Sequence, residues 1–520
     1  MRRIKKIKMS QENQTSRTEK VIRNSVVTIG CQMVYLIMGF ITRTVFTLML
    51  GAEYLGVSGL FSNILTILSF AELGIGSALV YRLYAPLVSQ DKEKIKQFLL
   101  LYKKAYRIII IIILAVGLLL APIIPYIVEA PNVSENIIVL YVLYLLQTLT
   151  SYVFAYKKSI LIADQKNYVV NIYTQIFNIL MNLVQCIFLV LTHNFVIYCA
   201  WNIIFNMVNN VACAYRANKE YPYIKEQPRE KLDGEEIKGL YKDVKGLMLT
   251  KVASTAFSGT DNIFISAFIG IRYVGILSNY TMLLSIINTF MNKVFDSVTA
   301  SVGNLVVLKD KCKTETVLRK MFFLNISLYG YIFVGMVPLL REFVVDIWLS
   351  SEYDISQVVV MMAVIELLLR SIHYPIYITR NAMGSFSEYK GVFVIAAILN
   401  IVLDFLLVKP LGITGLFLAT ILCRGITYVV DIWVVYHMNL QQSVWKYFGM
   451  LFKWFTFLMV CIFVAEVSVH LIPENGVLVF VIKMLIISVE YFTMYIIVFG
   501  KTEEFRYYLE MGKRMIKKSR

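Results

Sequence analysis

The feature that most constrains this chain is a succession of apolar runs, each about 20 residues long, separated by short polar connections. A run of that length matches the hydrocarbon thickness of a bilayer when coiled as an α-helix. The 520 residues are 58% hydrophobic and 16% charged, and the mean hydropathy is +0.67. A soluble chain of this size has no means of covering so much apolar surface. The pattern predicts an all-α polytopic membrane protein with about fourteen spans, at 25–50, 58–81, 103–128, 136–162, 168–191, 196–216, 240–269, 275–305, 317–345, 357–379, 390–408, 413–436, 447–472 and 476–499. The narrowest division is Thr192–Phe195, between spans five and six. The basic N-terminus precedes an apolar run too long for a signal-peptide core, so span one is expected to stay uncleaved.

Charge gives the orientation. The net charge of +17 would suggest nucleic acid in a soluble protein. Here it follows the asymmetry of the connections. With the N-terminus inside, 43 of the 51 Lys and Arg fall in cytoplasmic segments and three, Arg272, Arg341 and Lys409, fall outside. That asymmetry is the positive-inside pattern. It places both termini in the cytoplasm and makes anionic membrane lipids, not nucleic acid, the partners of the excess charge. The seven cysteines form no Cys-x-x-Cys pair and the four histidines are scattered. No disulfide framework, metal site or cofactor is expected.

The polar stretch 217–239 falls after six spans and holds Pro222, Pro228 and Gly234, so it reads as a linker. The expected organisation is a basic tail (1–24), an N-lobe of spans one to six (25–216), the linker (217–239), a C-lobe of spans seven to twelve (240–436), an added helix pair (437–500) and a second basic tail (501–520). Segments 91–104 and 235–247 alternate charged and apolar residues, as short amphipathic surface helices do. An internal repeat supports the two lobes. Leu50-Gly51-x-x-Tyr54-Leu55-Gly56-Val57 recurs as Ile269-Gly270-x-x-Tyr273-Val274-Gly275-Ile276, and Ala163-x-x-x-x-Tyr168 has a weaker echo in Gly384-x-x-x-x-Tyr389. The offsets are nearly equal. Because six is even, the lobes run parallel, related by an axis along the membrane normal.

Charged residues inside spans are costly in hydrocarbon and normally face protein or a water-filled cavity. Arg43, Lys251, Lys293, Arg370 and Arg424 form a cationic set drawn from both lobes. Glu72, Asp261, Asp296 and Glu366 form an acidic set, suited to a coupling ion or to charge balance. Lys293/Asp296 and Glu366/Arg370 are spaced i,i+3 and i,i+4, so each pair has the alternative of neutralising itself within its own helix. His373 lies on the same stripe as Glu366 and Arg370. Arg43 and Glu72 have no such partner. Cationic groups around one space suit an anion, and a guanidinium makes paired bonds to phosphate oxygens. A lipid-linked sugar carries a diphosphate between its tail and its glycan. Spans thirteen and fourteen shape a lipid groove or serve packing; packing is the simpler expectation.

The stretch LGAEYLGVSGLFSNILTILSFAELGIGSALVYRLYAPL (50–87) resembles the first hairpin of bacterial polysaccharide flippases. YKKAYRIII (102–110), KKSILIADQKNY (157–168), TDNIFISAFIG (260–270) and SVGNLV (301–306) resemble the same group. These are the Wzx-type, polysaccharide-transport branch of the multidrug/oligosaccharidyl-lipid/polysaccharide (MOP) exporter superfamily. The resemblance implies two six-helix lobes around a central cavity, alternating access, and export of an undecaprenyl-diphosphate-linked repeat unit across the bacterial cytoplasmic membrane for cell-surface polysaccharide. It implies a cavity role for Arg43, which matches the family's first-span arginine, and aligns Asp261 with the acidic residue of its seventh span. The implied partners are a lipid-linked oligosaccharide, a proton or sodium ion, and the polysaccharide-assembly machinery. Fourteen spans exceed the twelve common in this branch; the extra pair resembles that of peptidoglycan-precursor flippases. No phosphate-binding loop of the P-loop kind occurs, so an ion gradient is the expected energy source. The alternatives are a cation or drug antiporter of the same superfamily, and a membrane-embedded glycan polymerase or acyltransferase. The short outer loops, which lack His, disfavour the latter, and no catalytic residue is expected.

Overall fold

The computed structural model describes residue 30 and residues 32–518, apart from 73–74, 129, 231, 242–243, 245–259, 308–310, 384–386 and 474–475. Within helices, only the backbone is described at 70–71, 293–294, 296–307, 382, 387–390 and 515–518. The chain divides into two compact units, residues 1–259 and 260–520. The regular elements among the described residues are all helices, with no strand.

In the first unit, α1 (Gln32–Leu50) ends at Gly51, whose φ of +89° is a left-handed conformation that glycine adopts without a Cβ penalty. Then follow α2 (Ala52–Leu68), a 3₁₀ turn (Ser69–Glu72), α3 (Ile75–Val88), α4 (Lys92–Leu120), the single turn α5 (Ile124–Ile127), α6 (Ile137–Tyr152), α7 (Ala155–Ala163), α8 (Asn167–Thr192) and α9 (Phe195–Glu220). A short helix α10 covers 234–241. The sharp α8–α9 connection forms because His193 takes a left-handed φ of 50° and Asn194 caps α9, its Oδ1 accepting from the Ile197 amide at 3.1 Å. On the opposite side of the lobe, Asp91 caps α4 by accepting from the Lys94 amide at 3.0 Å.

Three details differ from the sequence expectations. The segment 91–104 is no separate surface helix; it forms the first turns of α4 and runs straight into the span. No Gly or Pro interrupts it, so nothing stops the helix. The hairpin turn also shrinks to Gly51, and Glu53 and Tyr54 belong to α2. The loop before α6 holds them: Glu53 accepts from the Asn132 amide (3.0 Å) and Nδ2 (2.5 Å), and the Tyr54 hydroxyl donates to Glu135 (2.5 Å). Third, span two is broken in the middle by the 3₁₀ turn that carries Glu72.

The second unit holds α11 (Asp261–Phe268), α12 (Ile271–Val307), α13 (Lys311–Glu342), α14 (Gln357–Ala382), α15 (Ser387–Leu411), α16 (Ile413–Trp433), α17 (Val444–His470), α18 (Val477–Phe499) and α19 (Glu503–Lys518). Helices α13 and α16 continue as π-helical turns, Phe343–Trp348 and Val434–Leu440. Gly270, between α11 and α12, has φ +130°. It occupies the same place as Gly51, between the first two helices of its unit, so the sequence repeat marks an equivalent helix–glycine–helix junction. Helices α17 and α18 pack on α13. Tyr491 donates to the Ser327 carbonyl at 2.8 Å, and Lys483 pairs with Glu342 at 2.9 Å while almost wholly buried.

Ten helices among the described residues are long and apolar enough to cross a membrane, or eleven with the α6–α7 pair, bent by 42°, as one span. The other expected spans differ for identifiable reasons. Span two is broken, and α4 carries Lys103, Lys104 and Arg107 inside its apolar length. Most of span seven lies outside the described residues. The chain is a multi-pass membrane protein.

Candidate functional site

The second unit concentrates charge between α14 and α16. Glu366 and Arg370 sit one turn apart on α14, and the guanidinium donates to Glu366 Oε1 at 2.7 Å from Nη2 and 3.2 Å from Nε. Arg424 of α16 reaches the same oxygen at 2.8 Å. Two turns further along both helices, His373 meets Asp431 at 2.6 Å. The partners in each of these rungs are 58 positions apart. Equal offsets require the two helices to run parallel in fixed register, and a seven-residue step returns to the same face after two turns. Arg380 completes the second rung, donating from Nη1 to Asp431 at 2.6 Å. Asp431 is fully buried.

The helix-internal pair foreseen at Glu366/Arg370 is present, but it is part of a larger set. Asp261, at the start of α11, lies within electrostatic range of Glu366, Arg424 and Arg370, and of Asp404 of α15. Asp404 is fully buried, and among the described residues neither carboxylate oxygen has a hydrogen-bond partner; Asp261 Oδ1 has none among them either. Asn400 lies one turn from Asp404 on the same face of α15. Its Nδ2 donates to Thr420 Oγ1 of α16 at 3.3 Å, and its Oδ1 is buried without a partner among the described residues. The result is an oxygen-rich spot inside a membrane lobe, built by α11, α15 and α16. Carboxylate, amide and hydroxyl oxygens are the donors a hard cation prefers. Among the described residues, no group of three or more His, Cys, Asp or Glu is placed to hold a metal ion.

In the first unit, Arg43 is half-buried on α1. It is in electrostatic contact with the hydroxyls of Tyr144 on α6 and Tyr198 on α9. The rings of Phe46, Phe195 and Tyr198 lie edge-on and stacked beside it, with centroids 5.0–6.0 Å apart. Tyr144 is itself fixed, its hydroxyl donating to Ser58 Oγ at 2.6 Å. The half-buried cation therefore sits on α1 near packed aromatic side chains of α1, α6 and α9. Glu72 is elsewhere in the unit, at the α2 break, where the Tyr106 hydroxyl donates to it at 3.4 Å.

Of the foreseen residues, Arg370, Arg424, Glu366 and Asp261 come together in one lobe, and Arg43 and Glu72 occupy separate places in the other. Lys251 lies outside the described residues, as do the side chains of Lys293 and Asp296, whose backbone belongs to α12. Asp404 stands out in the sequence as a charge within span eleven but was given no site role, and Asn400 and Thr420 were not among the expected residues. The signal for the first two was an i,i+4 pair of polar residues in the otherwise apolar run GVFVIAAILNIVLDFLLV (391–408).

The comparisons with known proteins follow the same lines. Residues 21–300 match the family described as polysaccharide biosynthesis protein. No curated protein matches the sequence. Among solved structures, the lipid II flippase MurJ in an inward closed conformation superposes with a TM-score of 0.64 at 16% identity, covering 91% of this chain and 99% of MurJ. An inward-facing multidrug resistance MATE transporter of the MOP superfamily gives 0.61 at 12% identity, covering 81% of this chain and 99% of that one. A MOP-superfamily transporter from Pyrococcus furiosus gives 0.51 at 12% identity, covering 80% and 94%. The family match spans more than half of the chain, and the superpositions cover most of this chain and nearly all of each of these structures. The chain belongs to the polysaccharide biosynthesis protein family and has the fold of the MOP-superfamily flippases and transporters.

Proposed function

We propose that this protein is a flippase that moves an undecaprenyl-diphosphate-linked oligosaccharide from the cytoplasmic to the outer leaflet for cell-surface polysaccharide synthesis. The observation that carries this reading is Arg370. It sits in the middle of a membrane helix, yet its side chain is 43% exposed while tethered to a nearly buried Glu366. A guanidinium so placed faces an accessible space, and a diphosphate is the anion its fork fits. Arg43, near its packed aromatic side chains, supplies a second such group in the other lobe, with Tyr rings suited to stacking on sugars. Arg424 extends the cationic set; Lys251 and Lys293, whose side chains lie outside the described residues, are assigned to it on sequence grounds. An apolar cavity of about 340 Å³ between α12, α13 and α18, lined by Leu283, Tyr331, Met336, Phe480 and Met484, suits the lipid tail. The name of the MurJ relative, a lipid II flippase, concerns cargo of the same general kind.

The driving force in this reading is an ion gradient. Asp261, Asp404, Asn400 and Thr420 offer oxygens to a proton or a sodium ion. Glu366 links that site to the arginines through one shared carboxylate oxygen. Cation entry would loosen the Asp261–arginine contacts and so alter the anion site, which is the coupling a transporter needs. Glu72 and Asp296 are assigned to charge balance. The chain is placed in the bacterial cytoplasmic membrane with both termini cytoplasmic, on the Lys/Arg asymmetry.

Substituting Arg43→Ala is expected to abolish surface glycan in cells while leaving the protein in the membrane at its normal level. Normal glycan export by that variant would remove Arg43 from the cargo path. The oxygen-rich C-lobe site is also what a cation or drug antiporter would use, and the MATE-like fold keeps that second reading in play. Drug hypersensitivity of a deletion strain with intact surface glycan would favour it.

A further inference from the structure

A cavity of about 390 Å³ opens at the end of the second unit where α13 and α17 begin and α18 ends. Three cations, Arg319, Lys446 and Lys453, stand around it, and its floor is aromatic. The floor is rigid: Trp454 stacks on Phe499 at 4.0 Å with an interplanar angle of 14°, and Phe323 meets Trp454 edge-on at 5.6 Å. α19 closes one side. It is docked by Phe505 against Tyr495 and by the Tyr508 hydroxyl, which donates to the Lys320 carbonyl at 3.0 Å.

The charges do not balance. Lys446 pairs with Glu315 at 2.6 Å, and Arg319 pairs with Glu504. Lys453 has no carboxylate partner among the described residues; its ammonium lies 5.0 Å from the centre of the Phe499 ring, and the side chain is exposed. From Lys453, an apolar stripe continues along the same side of α17 through Val460, Phe463 and Val467, all exposed on the membrane-spanning helix. A cationic rim, an aromatic floor and an adjoining apolar track together match one amphiphile: an anionic head with an acyl chain.

We propose that this cavity binds an acidic phospholipid of the cytoplasmic leaflet, with its phosphate at Lys453 and Arg319 and an acyl chain along α17. The leaflet rests on the orientation proposed above; the binding chemistry does not. Basic pockets between helices at the cytoplasmic boundary are suited to acidic headgroups. The bound lipid would tie α19 to the start of α17 and thereby couple the added helix pair to the lipid composition of the membrane. This site is separate from the charge ladder between α14 and α16.

Native mass spectrometry of the purified full-length protein, with phosphatidylglycerol and phosphatidylcholine of identical chains, tests the proposal. One phosphatidylglycerol is expected to bind saturably and in preference to phosphatidylcholine. Removing one charge with Lys453→Ala should weaken it about fivefold, and Lys453→Glu more than tenfold. A Cβ at Gly449 meets nothing within 4 Å, so Gly449→Trp has room to fill the cavity, and it should block binding without changing any charge. Inorganic phosphate alone should not compete. Equal retention of the two lipids, unchanged binding in Lys453→Glu or Gly449→Trp at wild-type melting temperature, or full competition by phosphate would each overturn the proposal. Because no transport is measured, a negative result here leaves the flippase reading standing, and failed transport leaves this site standing.

Discussion

At the scale of single residues, the spans tolerate charge only where a partner answers it. Asp431 illustrates this: it is fully buried and receives His373 on one oxygen and Arg380 on the other. Removing it would leave the Arg380 cation almost fully buried beside a half-matched histidine. Breaking a buried pair by deleting one side typically costs about 3–5 kcal/mol. Asp431→Ala should therefore lower the melting temperature of the detergent-purified protein by several degrees, whereas Asp431→Asn, which keeps the shape and one acceptor, should cost less. Equal, small losses in both variants would mean that the rung carries little stability. The charges themselves were visible in the sequence as outliers in apolar runs. Their pairing was not. Sequence spacing showed Glu366, Arg370 and His373 on one stripe, but whether His373 answers Glu366 or a residue on another helix depends on the α14–α16 register. That register is set by packing between residues about 60 positions apart.

At the scale of elements, the α15–α16 hairpin builds the oxygen-rich spot. It presents Asn400 and Asp404 from one helix and Thr420 from the other. The two backbones come close because Gly415 has no side chain; a Cβ there would run into the Leu407 carbonyl. Gly415→Ala should force the helices apart at a cost of about 1–3 kcal/mol. The Asn400–Thr420 hydrogen bond should weaken with it, so ion-dependent thermal stabilisation should fall more than basal stability does. Gly449→Ala, placed where a Cβ meets open space, should leave both near wild type and serves as the control. Hydropathy located nearly every helix here, because twenty apolar residues have few other options. It missed the break in span two, where Ser69–Glu72 tightens into a 3₁₀ turn inside a run that stays apolar on both sides. It also missed the continuity of α4, because charge alternation at 91–104 marks a wet helix equally well when that helix continues into the membrane.

At the scale of the molecule, two compact units share one helix–glycine–helix opening and differ in their charged interiors. The first holds an arginine near packed aromatic side chains. The second holds two arginines against a carboxylate, next to an acidic, oxygen-lined spot. In the proposed function, the arginines of both units would recognise the anion and the carboxylates of the second would take the cation, a division of labour that an ion-driven exporter of an anionic lipid-linked sugar requires. The helix–glycine–helix junction shared by the units was legible from the motif repeated at Gly51 and Gly270; Gly384 of the weaker echo lies outside the described residues. The cation spot was not, because its parts come from α11, α15 and α16 and no local motif joins them. The most direct test is flipping of a defined undecaprenyl-diphosphate-linked oligosaccharide in proteoliposomes, followed with and without an imposed sodium or proton gradient. Wild-type protein should flip the lipid faster under one of the gradients. Asp404→Asn should retain slow flipping that no longer responds to the gradient, and Arg370→Ala should lose flipping under all conditions. Wild-type protein that leaves the lipid-linked sugar in its original leaflet under every gradient, or flipping that survives in Arg370→Ala undiminished, would contradict the proposed function.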